Sequence, residues 1–185
     1  MSTTSAPFGL KPSYHPSGEI RPLTTTISVD YTTNIYLYSP VKLVAGQLNL
    51  AAAAERAVGT FLGVQYTDVN GRRVFANKWV AQAGATEIVA WYTADPLIVY
   101  QIQAAGPIAE DDIGEQADWS ANTTTSGNLT TGLSSVTLGT PASGTNNGLR
   151  IIGITKGPDN DWGDLFTVVN VQISEHQNVA DIVGY

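Results

Sequence analysis

The chain has 185 residues, enough for one domain with a sizeable hydrophobic core. Its formal net charge is -7, from 9 basic and 16 acidic residues, so a polyanion such as DNA would be repelled and no nucleic-acid partner is expected. It contains no cysteine, which excludes disulfides and thiolate metal sites, and no apolar run reaches the ~20 residues of a membrane helix, so no membrane partner is expected.

Residues 1–22 are predicted to form an extended arm. Four prolines in this span exclude a regular helix or a central strand. Large apolar side chains are spaced along the arm, namely Phe8, Leu10, Tyr14 and Ile20. A free tail has no need of such residues, so we expect them to contact a surface, either of the chain's own domain or of a neighbouring subunit.

Short runs rich in Val, Ile, Tyr and Thr alternate with turn signals from residue 23 onward, which is typical of β-strands. The clearest turn is at Asn70-Gly71, because this dipeptide readily adopts the positive φ of a hairpin turn. Runs at 58–66 and 73–80 flank this turn, and another run begins at residue 86. Since no helix-length crossover separates these runs, we predict an antiparallel meander.

Residues 86–103 contain the most apolar pair of runs in the chain, separated by a break before Pro96. Side chains alternate along a strand, so three residues of the second run are predicted to share a buried face: Ile98, Tyr100 and Ile102. The opposite face begins apolar at Leu97 and ends polar at Gln103. We therefore expect the strand to start buried on both sides and to end with one face in solvent.

The C-terminal third combines a low-complexity stretch with two further strands. Residues 120–148 are dominated by Thr, Ser, Gly and Asn, and we interpret them as a variable loop region with one irregular strand or hairpin. After a strand at 149–154, the closing strand at 165–173 is expected to bury one face: Val169, Val171 and Ile173. We predict an all-β protein, with an antiparallel β-sandwich or jelly-roll-like domain at residues 23–185 behind the arm.

The sequence shows no catalytic constellation. Only two histidines are present, His15 and His176, and a Ser-His-Asp triad would have to use His176, because His15 lies in a proline-rich segment without rigid support. No G-x-S-x-G elbow, phosphate-binding loop, zinc spacing or redox motif is found. We therefore predict that the protein is not an enzyme and that it has no catalytic residue and no cofactor.

Two acidic segments are candidates for carboxylate chemistry. Residues 110–118 contain five carboxylates, which could supply a glycosidase pair or oxygen ligands for calcium, but a solvent-facing loop is the simpler interpretation. Residues 159–164 partly resemble a calcium loop, yet glycine takes the fifth place and no glutamate follows at the twelfth. We interpret this segment as a turn and predict no metal site.

The four tryptophans, at positions 79, 91, 119 and 162, leave a second function open. Aromatic residues on strands usually belong to the core or to a subunit interface. Exposed on a common surface, they could instead form a platform for sugar rings, with Trp119 and Trp162 as the contacts to test.

Short motifs are spread over nearly the whole chain: residues 6–12 (APFGLKP), 40–43 (PVKL), 61–64 (FLGV), 95–103 (DPLIVYQIQ), 113–118 (IGEQAD), 149–154 (LRIIGI) and 171–176 (VQISEH). In this order they resemble the small cement, or decoration, proteins of tailed-bacteriophage capsids. Residues 120–148 carry no part of the resemblance.

The resemblance implies a non-enzymatic β-sandwich or jelly-roll protein on the outer capsid surface of the virion, made in the host cytoplasm. Such proteins sit at junctions between major capsid subunits and brace the shell against the pressure of the packaged DNA. The implied partners are the major capsid protein and further copies of the chain, as a homotrimer rather than a homodimer. The arm would dock on the capsid or on a sister subunit through its four apolar residues. The alternative is a carbohydrate-binding module of a phage head or tail fibre that takes part in host attachment.

Overall fold

The computed structural model describes residues 3–142 and 147–179, which form two antiparallel β-sheets packed as a sandwich, as the sequence predicts. The strands in chain order are β1 (Lys11–Tyr14), β2 (Leu23–Thr25), β3 (Pro40–Val44), β4 (Gln47–Leu50), β5 (Gly59–Thr67), β6 (Arg73–Ala76), β7 (Thr86–Tyr92), β8 (Val99–Gln103), β9 (Gln116–Ala117), β10 (Leu149–Ile154) and β11 (Val168–Ile173). A short 3-10 helix, Glu110–Asp112, lies between β8 and β9.

The first sheet has the strand order β1-β8-β11-β10-β9 and covers the first of two hydrophobic cores. The six residues predicted for the core are all buried in it: Ile98, Tyr100, Ile102, Val169, Val171 and Ile173. In the pairing of β8 with β11, Tyr100 lies opposite Val171 and Ile102 lies opposite Val169. Directly opposed residues face the same side of a sheet, so the apolar faces of β8 and β11 pack in the same core.

The second sheet has the order β2-β7-β5-β3-β4 and encloses the second core, with β6 paired to β5 off this path. A bridge joins its two end strands, between Thr26 after β2 and Gln47 of β4. Next to the bridge, the Leu48 N–H donates a hydrogen bond to the Thr26 carbonyl at 2.9 Å. This contact joins the two edges of the sheet and satisfies backbone groups that an open edge would leave exposed.

The predicted meander is wrong in its strand order, because β5 rather than β6 is the central strand. β6 pairs with one edge of β5 and β7 pairs with the other edge. The connection from β6 to β7 carries Trp79, which is completely buried in the second core and exchanges two backbone hydrogen bonds with Ile35. Burial of this indole draws the chain away from β6 and across to the far side of β5.

The two apolar runs of residues 86–103 belong to different sheets, since β7 lies in the second sheet and β8 in the first. Between β7 and β8 the chain crosses from the second sheet to the first. At this crossing, the Thr93 hydroxyl oxygen accepts a hydrogen bond from the Thr60 N–H at 2.9 Å and lies 2.9 Å from the Tyr100 hydroxyl. Gly59 permits this approach, because a Cβ atom there would lie 1.9 Å from the Thr93 carbonyl oxygen. Burial raises the pKa of Tyr100, so its hydroxyl stays protonated.

Part of the predicted arm belongs to the first sheet. β1 pairs with β8 as an edge strand, a position that tolerates Pro12 because an outward N–H is not needed there. The expectation that Gln103 faces solvent is wrong, since this residue is 4% exposed. Its side-chain amide accepts a hydrogen bond from the Ala6 N–H at 2.8 Å and donates one to the Thr4 carbonyl at 3.2 Å. The arm therefore covers the polar end of β8.

The Thr- and Ser-rich residues 120–142 are attached to the rest of the fold. Val136 and Leu138 are completely buried in the first core. Asn122 is also buried, and its side-chain amide donates hydrogen bonds at 2.8 and 2.9 Å to two carbonyls at the ends of β3 and β4. This stretch thus connects the two sheets, while positions 143–146 of the predicted loop region lie outside the described residues.

Replacing Ile98 by alanine is expected to lower the free energy of unfolding by about 2–5 kcal/mol, the range for truncating a buried aliphatic side chain. Ile98 has no exposed surface, whereas its neighbour Leu97, which the sequence placed at the buried start of the strand, is 54% exposed. Leu97→Ala is therefore the matched control, and its effect should stay within about 0.5 kcal/mol. Urea unfolding measures both; equal losses would show that Ile98 is not a core residue.

Candidate functional site

The four apolar residues of the arm are not equivalent in the structure. Leu10 is completely buried in the first core, so its assignment to a partner interface is corrected to a core position. Phe8 and Ile20 are half-buried, and Ile20 packs against the same core. Tyr14, on β1, is 49% exposed and is the most exposed of the four. The spacing of these residues thus mainly reflects packing on the chain's own domain.

His15 is held in place, contrary to the expectation that its segment lacks rigid support. Its Nδ1 accepts a hydrogen bond from the Ser17 N–H at 3.0 Å and lies 2.7 Å from the Ser17 hydroxyl oxygen. Its Nε2 lies 3.3 Å from Asp95 Oδ1. The structure therefore aligns a serine, a histidine and an aspartate, which sequence reasoning missed because Asp95 is distant from the other two along the chain.

This row has the composition of a catalytic triad but lacks a free general base. The Nδ1 lone pair that would take the Ser17 proton already accepts the Ser17 backbone N–H. In addition, the Gly18 N–H donates to the His15 carbonyl at 2.8 Å, so these residues form a hydrogen-bonded turn. We conclude that the row is a local turn that lies close to Asp95, and we assign it no catalytic role.

The two acidic segments bind the local backbone. In the first, the 3-10 helix Glu110–Asp112 contains no buried residue, and Asp112 accepts a hydrogen bond from the Ala109 N–H at 2.8 Å. In the second, the Asn160 side chain bonds to three backbone groups of its own loop and of β11. Within residues 3–142 and 147–179, no three His, Asp or Glu side chains are grouped so that they could hold a metal ion.

The tryptophans do not form the platform expected from Trp119 and Trp162. Trp119 is 2% exposed and donates its indole N–H to the Ala51 carbonyl at 3.2 Å, so it cannot stack on a sugar. Trp162 is half-buried against the first core, and Trp79 is completely buried. Trp91 of β7 is half-buried on the side of the second sheet that faces away from the core.

A surface on that side of the second sheet, which we call the outer face, consists of the apolar side chains of Phe75, Val89 and Trp91 and of Gln65, which lies between them. Phe75 of β6, Gln65 of β5 and Val89 of β7 lie opposite one another in a row across three strands, and Trp91 is two residues beyond Val89. Phe75 is 70% exposed, the largest value among the large apolar side chains that the structure describes. Sequence reasoning missed Phe75, although its alternation with Arg73 would have indicated the solvent side.

The turn between β5 and β6, residues 68–72, is a rigid projection that we call the hairpin tip. Asp68 Oδ1 accepts hydrogen bonds from the Asn70 and Arg72 N–H groups, both at 2.9 Å, and Arg72 Nη2 lies 2.9 Å from Asp68 Oδ2. The hydrogen bond from the Arg72 backbone is the main cause that lowers the pKa of Asp68, and the Arg72 side chain adds to it. Val69, within this fixed turn, is 67% exposed.

A cleft of about 490 Å³ lies between the arm and the segment that follows β7, and we call it the arm cleft. Carboxylates of Glu19 and Asp95 line it, together with the half-exposed Leu23. The Arg21 guanidinium also lines the cleft and pairs with Glu19 at 3.0 Å. Because this pair is neutral as a whole, the Asp95 carboxylate gives the cleft its acidic character.

Comparison of the chain with protein-family models, with curated proteins and with solved structures finds no match. Among the residues described, no helix has the length and apolar character needed to cross a membrane. The features that the geometry singles out are the outer face, the hairpin tip and the arm cleft. Each of the three presents apolar side chains at the surface, and the hairpin tip and the arm cleft add a few fixed charges.

His176, the second histidine, is buried, and its Nδ1 accepts a hydrogen bond from the Asn178 N–H at 3.1 Å. Burial lowers the pKa of His176, and the Val58 backbone and the charge of Asp95 offset this effect in part. The buried ring is therefore held in its neutral form down to a lower pH than a free histidine.

Stability should fall between pH 7 and pH 5 because of His176. Its pKa is lower in the folded chain than in the unfolded chain, where it is about 6.5, so the unfolded chain binds the proton first as the pH falls. The loss for this one group is at most about 1.4 kcal/mol per pH unit. Urea unfolding at both pH values should show a smaller loss for His176→Gln than for the wild type, and equal losses would contradict the assignment. The lowered carboxyl pKa values of Glu55 and Asp68 act below this window.

Proposed function

We propose that this protein is a non-enzymatic cement protein that binds the outer surface of a phage head at junctions between major capsid subunits and stabilises the shell. The observation that carries the proposal is the outer face, where Phe75 stands in solvent on the same side of the sheet as Val89 and Trp91, with Gln65 of the central strand between them. Exposed apolar patches mark interaction sites, and aromatic residues are enriched at the centres of interfaces. The motif resemblance supports a capsid as the partner.

The scaffold beneath the outer face suits a bracing role. The bridge between Thr26 and Gln47 joins the end strands of the second sheet, and the contact of Thr93 with Tyr100 ties that sheet to the first. A surface on a rigid scaffold loses little conformational entropy when it binds, so more of the contact energy remains as affinity. In this proposal the arm stabilises the domain, and the outer face takes over the docking role that the sequence analysis gave to the arm.

Replacing Phe75 by aspartate should weaken binding to purified heads that lack the protein. The side chain is 70% exposed, so the fold should be unaffected, whereas a carboxylate in an apolar interface is unfavourable. An aromatic residue at the centre of an interface typically contributes about 2 kcal/mol or more, which corresponds to a loss of affinity of roughly 30-fold. Co-sedimentation of the variant with the heads measures the loss.

Leu165→Asp is the matched control, because it introduces the same charge at another exposed leucine, in the loop before β11 and away from the outer face. It should bind heads as the wild type does. Normal binding by Phe75→Asp, or equal losses in both variants, would show that the outer face is not the docking site.

Purified virions should also contain hundreds of copies of the protein; a handful of copies would exclude a cement function.

A second function, carbohydrate binding for host attachment, is favoured by one feature of the same surface. Phe75 and Trp91 lie on one side of the sheet and offer apolar ring surface to a ligand. Binding of a host polysaccharide that is lost in Trp91→Ala would support this function in place of capsid binding. A glycan array without any bound sugar would exclude it.

A further inference from the structure

We infer that the hairpin tip of one copy docks in the arm cleft of a second copy, so that the protein assembles head to tail. The inference goes beyond the proposed function and does not depend on it, since the contact is between copies of this chain in the absence of any capsid.

The tip and the cleft lie at opposite ends of β7. Thr86, the first residue of β7, pairs with Thr67 at the base of the hairpin tip. Tyr92, the last residue, pairs with Leu23 in the wall of the arm cleft, and Asp95 follows shortly afterwards. A strand of this length spans about 20 Å, so the tip of one copy cannot reach its own cleft. Between copies, each chain can offer its tip to one neighbour and its cleft to another.

The exposed charges of the two surfaces are complementary. The Arg72 side chain is 75% exposed, whereas its partner Asp68 is only 10% exposed, so the tip presents positive charge to solvent. Arg72 uses Nε and Nη2 to contact Asp68, and a guanidinium has five N–H donors, which leaves donors for a second carboxylate. In the cleft, Glu19 is offset by Arg21, whose side chain is 80% exposed, so the excess negative charge is that of Asp95, which is 49% exposed. Charge-assisted hydrogen bonds between Arg72 and Asp95 would fix the orientation of docking.

The apolar parts of the two surfaces also match. Val69 projects from the tip, and the cleft offers Leu23 and Pro96. The cleft volume, about 490 Å³, lies within the ~300–1,000 Å³ typical of ligand sites and so accommodates two side chains. The tip is held by the hydrogen bonds of Asp68, so little flexibility is lost when it docks.

Such a contact is heterologous, because different patches of the two copies meet. A heterologous contact produces a closed ring when the rotation between copies closes, and an open chain when it does not. A homotrimer, the state expected from the resemblance, is one such ring.

Sedimentation velocity of the full chain tests the inference. The wild type should self-associate with increasing concentration, and high salt should weaken the association because part of it is electrostatic. Val69→Asp places a carboxylate opposite the acidic cleft, and Glu19→Lys removes the counter-charge of Arg21 and makes the cleft positive, so that it repels Arg72. Each variant should associate at least tenfold more weakly than the wild type. The control Leu165→Asp, and also Phe75→Asp, should associate normally, which separates this contact from capsid binding.

Mixing the two variants gives the sharpest result. Val69→Asp retains an intact cleft and Glu19→Lys retains an intact tip, so the mixture should form a discrete 1:1 heterodimer and stop there. If circular dichroism shows that Glu19→Lys disturbs the fold, Asp95→Asn replaces it, since the amide oxygen can still accept the Leu97 N–H. A wild type that stays monomeric, variants that associate as the wild type does, or a mixture without heterodimer would each overturn the inference.

Discussion

The crossing between the two sheets at Thr93 is the contact on which the rest of the structure depends. The Thr93 hydroxyl meets the backbone of β5 and the Tyr100 hydroxyl of β8, so it joins the two sheets at a buried point. The contact requires glycine at position 59, because a side chain there would overlap the Thr93 carbonyl. A buried polar group without partners would be costly, so these hydrogen bonds restrict the sheets to one relative placement.

The positions of the arm cleft, the hairpin tip and the outer face follow from this crossing. The chain that leaves Thr93 forms one wall of the arm cleft before it enters β8, and the arm, in which His15 lies close to Asp95, forms the other wall. At the opposite end of β7 the hairpin tip projects from β5 and β6. The molecule therefore has two different ends, with the outer face between them along the second sheet. The proposed contact between copies and the proposed contact with a capsid therefore use separate surfaces.

The candidate surfaces were only partly predictable from the sequence. The Asn-Gly turn of the hairpin tip is a local signal and could be read directly, as could the alternation that puts Phe75 on the same side as Arg73. The approach of His15 to Asp95 had no local signal, because it depends on where two distant segments lie in the fold. The same limit applies to the tryptophans, since the sequence gives no sign that Trp119 is buried and that Trp91 reaches the surface.

The sequence by itself determined the all-β class, the absence of helix-length crossovers and the buried faces of β8 and β11, because all of these depend on local alternation and turn chemistry. Only the tertiary structure decided which sheet each strand joins, that β5 lies between β6 and β7, and that Leu10 of the arm enters the chain's own core. These choices depend on pairing between distant segments and on the burial of large side chains such as Trp79. Alternation along one strand shows that a face is buried, but not which partner buries it.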